Sequence, residues 1–152
     1  MDKIIIQHED FDLTTEVALA RASNSSIGAI VSFVGTVRDL DSKNLNTMTL
    51  EHYPGMTEKS LQSIAENAKI KWKLQSVTII HRIGKLDIND QIVLVITASK
   101  HRQEAFESCN FIMDFLKTDA PFWKKETTTT AEKWVESRTQ DIEKKKKWKS
   151  ES

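Results

Sequence analysis

Lys117 and Lys124 stand on either side of Pro121 in the stretch Leu116-Lys117-Thr118-Asp119-Ala120-Pro121-Phe122-Trp123-Lys124-Lys125-Glu126. Proline has no backbone N–H and its ring clashes one turn back, so a helix does not continue through it. Before it, Ala105, Cys109, Ile112, Met113 and Leu116 recur at helical spacing. After it, Phe122, Trp123 and a run of threonines favour extended backbone. Lys117 is therefore predicted in the last turn of a helix and Lys124 on the next element. Two ammonium groups carried by different elements can meet at one point, where they could bind an anion or supply an amine as acid, base or nucleophile. The same stretch also fits a plainer role, in which Lys117 complements a helix dipole and Phe122-Trp123 fills a core.

Further basic groups fall at predicted element ends: Arg38 where a strand leaves the core, His101 and Arg102 between a strand and a helix, and Arg138 beyond the last strand. Lys+Arg and Asp+Glu balance at 22 each, so an anion site must come from such local clustering and not from a net field. Guanidinium forks and ammonium groups suit phosphate and carboxylate oxygens. Taken singly, each of these residues is better read as a solvated or ion-paired surface charge.

Other chemistries are poorly served. His8, His52, His81 and His101 lack metal-ligand spacing, and His52 and His81 lie in predicted strands, where a hydrogen-bonded structural role is expected. The single cysteine, Cys109, excludes an internal disulfide and sits on the apolar side of its helix as a small core residue. Phosphate-loop, GxGxxG and nucleophile-elbow motifs are missing. The Lys144–Lys147 run has no interleaved aromatic platform, so it reads as a solvated tail and nucleic-acid binding is not expected. Neither a membrane-spanning apolar run nor a signal-peptide pattern is present, and a soluble, cytoplasmic protein is expected.

The elements that must position these groups follow from periodicity. Lys3–Gln7 reads as a strand, and Asp12 caps a helix carrying Leu13, Val17 and Ala20. Ile27–Val37 reads as a buried strand, with Gly28 and Gly35 marking a bulge or a close backbone approach. A polar loop over 41–46 leads to a half-buried strand, Thr47–Tyr53. Pro54-Gly55 then turns into a helix with Leu61, Ile64, Ala65, Ala68 and Trp72 on one face. Val77–Ile83 and Gln91–Ala98 read as strands joined by a connection over 84–90, the second apolar on both faces and so central. Phe122–Glu126 and Lys133–Val135 can pair as a hairpin. The order β-α-β-β-α-β-β-α-β-β predicts an α+β domain over 1–138, followed by a charged tail over 139–152.

Five blocks, in order, resemble a known family: Phe33-Val34-Gly35-Thr36-Val37-Arg38-Asp39, Glu51-His52-Tyr53-Pro54-Gly55-Met56, His81-Arg82-Ile83-Gly84, Ser99-Lys100-His101-Arg102, and Leu116 through Lys124. Together they look like the large, catalytic subunit of molybdopterin synthase. The resemblance implies an α/β-hammerhead-like fold with an added small antiparallel sheet, and a homodimer. It implies a small ubiquitin-like partner whose C-terminal Gly-Gly carries a thiocarboxylate, a heterotetramer in all, and sulfur transfer to cyclic pyranopterin monophosphate (precursor Z) without a metal or redox cofactor. Lys117 and Lys124 resemble the catalytic lysines, while Arg38, His101 and Arg102 resemble pterin-phosphate and pocket residues. Arg138 resembles an arginine supplied by the neighbouring large subunit, and Phe33 and Met113 resemble pocket-lining positions. Loops 41–46 and 127–131 lack the glycines expected there. An alternative is a non-catalytic module whose basic cleft holds a partner's C-terminal tail.

Overall fold

The computed structural model describes residues 2–39, 45–128, 132–135 and 148. Strand β1 (Lys3–Gln7) leads into α1 (Leu13–Ala22), whose N-cap Asp12 accepts from Thr15 N at 3.3 Å. Strands β2 (Ala29–Thr36) and β3 (Leu45–His52) precede α2 (Met56–Trp72). Strands β4 (Ser76–Arg82), β5 (Gly84–Asp87) and β6 (Gln91–Ser99) come next. Helix α3 (Arg102–Thr118) and strands β7 (Phe122–Thr128) and β8 (Glu132–Val135) complete the described chain.

The strands form two sheets, in the orders β1-β4-β6-β2 and β5-β3-β7-β8. In the first, β1 runs parallel to β4 and the other pairings are antiparallel; the second is antiparallel throughout. This is the α+β, hammerhead-like arrangement with a small antiparallel sheet expected from the sequence. Alternation along each strand divides the first sheet into two apolar faces. Val77, Ile79, Val93 and Val95 meet Leu61, Ile64, Ile112 and Met113 of α2 and α3, while Ile80, Leu94 and Ile96 meet Ala20 of α1 and Phe11. Cys109 is buried among the α2–α3 contacts, and burial pushes its thiol up to about 12, so it serves as a core residue. As expected, β6 is central and buried along most of its length.

Two expectations need correction. The segment Ile27–Val37 is not a buried strand: β2 spans Ala29–Thr36 at the sheet edge, with Ser32 and Phe33 exposed. An apolar run shows that a strand packs, but not whether it has one neighbour or two. The 84–90 connection contains a strand, β5, which pairs with β3 and buries Leu86 against Met48, Leu50 and Val37. Its brevity hid it. Gly84 (φ +90) and the Asp87–Asp90 turn bound only four residues.

Both glycines of the second predicted strand meet close neighbours. A Cβ on Gly28 would lie 2.4 Å from the Lys100 carbonyl oxygen, and one on Gly35 would lie 2.9 Å from Val93 Cγ1, beside a register shift at Gly35/Thr36. Most of the tail over 139–152 lies outside the described residues. Trp148 packs on the body instead of standing in solvent: its ring meets Trp72 and Phe111 edge-on at 5.9 and 5.7 Å, and its indole N–H donates to the Asp114 carboxylate.

Candidate active site

Helix α3 ends where Asp119 N and Ala120 N both reach the Phe115 carbonyl, at 2.8 and 3.2 Å. Phe122 N then bonds the Ala120 carbonyl at 2.7 Å, closing a three-residue turn centred on Pro121, whose fixed φ suits that geometry. A fully buried threonine anchors the turn. Thr57 Oγ1 accepts from Tyr53 N at 3.0 Å and donates to the Pro121 carbonyl at 2.9 Å, tying the β3–α2 junction to the α3–β7 junction. Lys117 therefore lies in the last turn of α3 and Lys124 on β7, as the sequence predicts.

Strand register decides where Lys124 points. Lys124 pairs with Leu50 and Phe122 with His52, and directly paired residues share a sheet face. Leu50 is 2% exposed and packs with Val37, Met48 and Leu86, so this is the inner face of the second sheet. Lys124 is half-buried on it, an unusual place for an ammonium group, whose charge resists leaving water. Trp123 takes the other face and meets Tyr53 edge-on at 4.5 Å.

His81 lies against the start of β7, two residues from Lys124 along that strand face. On β4 it shares the face of Val77 and Ile79, and its buried ring stacks on Phe122 at 3.8 Å and 15°. Its Nδ1 lies 2.8 Å from the Arg82 carbonyl; since a carbonyl only accepts, Nδ1 carries the proton and Nε2 the lone pair. Burial, followed by the charges of Lys124, Lys117 and His52, brings its pKa down to about 4, against the opposing pull of the Arg82 hydrogen bond. Ammonium groups from α3 and β7 thus act on one neutral imidazole. His52, at the end of β3, completes the cluster and lies 3.8 Å from Glu58 Oε1.

The other predicted residues divide by position. Arg38 is exposed and directly follows Val37, which packs on Leu50 beside Lys124, so its backbone leaves the core at the lysine end. Met113 is buried in α3, and Phe33 is 38% exposed on β2. His101 and Arg102 stand exposed at the start of α3, beside Ser99. From Arg102 to Lys117 the helix rises about 22 Å at 1.5 Å per residue, so within one chain these two residues do not meet the lysines. Arg138 and the loop over 129–131 lie outside the described residues, as does most of loop 41–46, where β3 begins at Leu45.

A hollow of about 660 Å³ opens between α2 and α3, lined by Pro54, Met56, Lys59, Ser63, Asn67 and Phe115 among others; neither lysine lines it. No group of three His, Cys, Asp or Glu side chains suited to a metal occurs among the described residues. Sequence reasoning missed the role of His81 and His52 in the cluster. The alternation of Val77, Ile79 and His81 carried the signal, because it placed an ionisable ring on a core face.

A half-buried lysine, a second lysine and a neutral histidine at one junction are group types able to do acid–base or nucleophilic work on anions. The family profile described as MoaE protein matches residues 6–119. The chain belongs to the MoaE family, the catalytic subunits of molybdopterin synthase. It is 54% identical over 142 residues to the molybdopterin synthase catalytic subunit of Ralstonia nicotianae, covering 93% of this chain and 81% of that one. The MoaE protein structure from Burkholderia ambifaria superposes with a TM-score of 0.85 at 54% identity, covering 98% and 99% of the two chains. A Helicobacter pylori complex of subunits 1 and 2 of molybdopterin-converting factor matches with a TM-score of 0.71 at 25% identity, covering 89% and 92%. As a MoaE-family catalytic subunit, the chain is an enzyme component of molybdenum cofactor biosynthesis. Among the described residues no helix is long and apolar enough to cross a membrane.

Proposed function

We propose that this chain converts cyclic pyranopterin monophosphate to molybdopterin, taking sulfur from the C-terminal thiocarboxylate of a separate ubiquitin-like small subunit in the cytoplasm. The observation that carries the reading is the placement of Lys117 at the end of α3 and Lys124 on the inner face of β7, on either side of the Pro121 turn that Thr57 anchors. The substrate is a phosphorylated anion and the donor tail a thiocarboxylate, so a cationic junction draws both together. The thiocarboxylate sulfur bonds to a side-chain carbon of the pterin as a carbon–oxygen bond at that carbon breaks, the oxygen staying with the phosphate or leaving as water. The acyl–sulfur bond then breaks, and the tail is left as a carboxylate when water takes the acyl group. Two such transfers build the dithiolene.

In this scheme Lys117 is the reactive amine near the thiocarboxylate, and Lys124 positions and activates the pterin. Arg38 binds phosphate at the same end of the fold, and Phe33 and Met113 line the pocket. A homodimer gives His101, Arg102 and Arg138 their place: they serve the pocket of the neighbouring copy, since His101 and Arg102 start α3 about 22 Å from Lys117 by helix rise. With the small subunits the assembly is a heterotetramer. The reading is supported by the catalytic-subunit relatives and by the two-subunit complex from Helicobacter pylori.

The test is to mix the protein with thiocarboxylated small subunit and precursor Z and to follow formation of a dithiolene-bearing pterin. Lys117→Ala is expected to stop turnover while affinity for the small subunit survives. That result separates an enzyme from a module that merely holds the tail. Absence of product from the wild-type pair, or near-normal transfer by folded Lys117→Ala, overturns the reading.

A further inference from the structure

The chemistry above gives His81 no task, yet the fold invests a polar ring there. The position lies on the core face of β4, in line with Val77 and Ile79, where phenylalanine or leucine would pack without a polar atom to satisfy. The ring is fixed in two ways: Phe122 stacks on it, and Nδ1–H donates to the Arg82 carbonyl. Nε2 is left as an uncharged acceptor on the far side of the ring. Phe122, which covers the ring, shares its strand face with Lys124, and i,i+2 neighbours on a strand stand about 7 Å apart. The other charged or titratable groups acting on the imidazole are Lys117 from α3 and His52 from β3.

Resting on the sulfur-transfer reading, we propose that His81 is a positioning residue whose Nε2 accepts an N–H from Lys124 and aims that amine at the bound pterin. A neutral acceptor suits this duty. A carboxylate in its place would fix the ammonium too, but it would cancel the positive field and repel both the phosphate and the thiocarboxylate.

Three variants test the assignment. His81→Phe keeps a ring against Phe122 and removes both nitrogens. His81→Asn keeps a donor for the Arg82 carbonyl without an acceptor at the Nε2 position, and His81→Gln restores an acceptor at that reach. With small-subunit affinity unchanged, kcat for sulfur transfer is expected to fall about 10- to 100-fold in the Phe and Asn variants, the scale of a misaimed catalytic group, and to recover partly in Gln.

A second readout needs no turnover. In the full chain carrying ¹³C-dimethylated lysines, NMR titration is expected to place Lys124 at lower pH in His81→Asn than in wild type, because the protonated amine has lost an acceptor. Equal activity loss in Asn and Gln, together with an unmoved Lys124 titration, makes His81 a packing residue and overturns the proposal. If the wild-type protein transfers no sulfur at all, the sulfur-transfer reading falls, and an unmoved Lys124 titration then removes the His81 contact as well.

Discussion

Strands β6 and β7 both occupy inner positions of four-stranded sheets, yet they present opposite chemistry. Strand β6 is buried from Val93 to Ser99, with valines facing α2 and α3 and Leu94 and Ile96 facing α1. Strand β7 sets Phe122 and then Lys124 on its inner face, opposite His52 and Leu50. Helices cover both faces of the first sheet, so a charge on β6 would be sealed from water. Among the described residues the second sheet meets the first near strand ends, where His81 of β4 stacks on Phe122 of β7, beside His52 and Lys124. The central sheet supplies rigidity, and the seam between sheets holds the groups that can react.

Breaking the seam should damage turnover far more than folding. Lys124→Met keeps most of the aliphatic stem and removes the charge; sulfur transfer is expected to fall at least ~100-fold, on the scale of a lost acid–base group, while the denaturation midpoint changes little. Breaking the central sheet should do the reverse. Leu94→Ala, at a fully buried position, is expected to cost about 2–5 kcal/mol in urea unfolding, with residual activity tracking the folded fraction.

Acid sharpens the contrast. His81 has a folded pKa of about 4 against an ordinary 6.5, so between those values the unfolded chain takes up a proton that the native state refuses. This stability is fully present above pH 6.5 and is lost as pH falls towards 4, by about 3 kcal/mol for a shift of this size. Unfolding free energies measured from pH 7 to 4 should show the slope, and His81→Phe should flatten it. The smallest effect is expected from Thr57→Val, which removes the hydroxyl linking Tyr53 N to the Pro121 carbonyl: about 1–3 kcal/mol in stability, and a several-fold loss of sulfur transfer as the two lysines lose their common anchor.

Much of this organisation is legible in the residues. Pro121 announces the break that puts Lys117 and Lys124 on separate elements, and helical spacing marks the inner faces of α2 and α3. Alternation recovers β3, and apolar residues on both faces place β6 at the centre. What escapes is whatever depends on neighbours distant in the chain. The edge position of β2 follows from pairing with β6 alone, and β5 exists because β3 offers it a partner. The inward aim of Lys124 follows from its register with Leu50, which neither strand specifies by itself. His101 and Arg102 look like neighbours of the lysines when read as a set of cations, and the length of α3 separates them.

Gly28 carries a consequence far from the chemistry. Its N–H bonds the Ser99 carbonyl at 2.9 Å, and a methyl group there would sit 2.4 Å from the backbone oxygen of Lys100, the residue that launches α3 by way of His101. That helix is a lever arm with its fulcrum at Gly28 and Lys117 near its tip. A tilt of about 3° over about 22 Å of helix swings the tip by about 1 Å, enough to spoil an attack geometry roughly a hundredfold. A single added carbon at the remote end can therefore silence the enzyme without removing any reacting group.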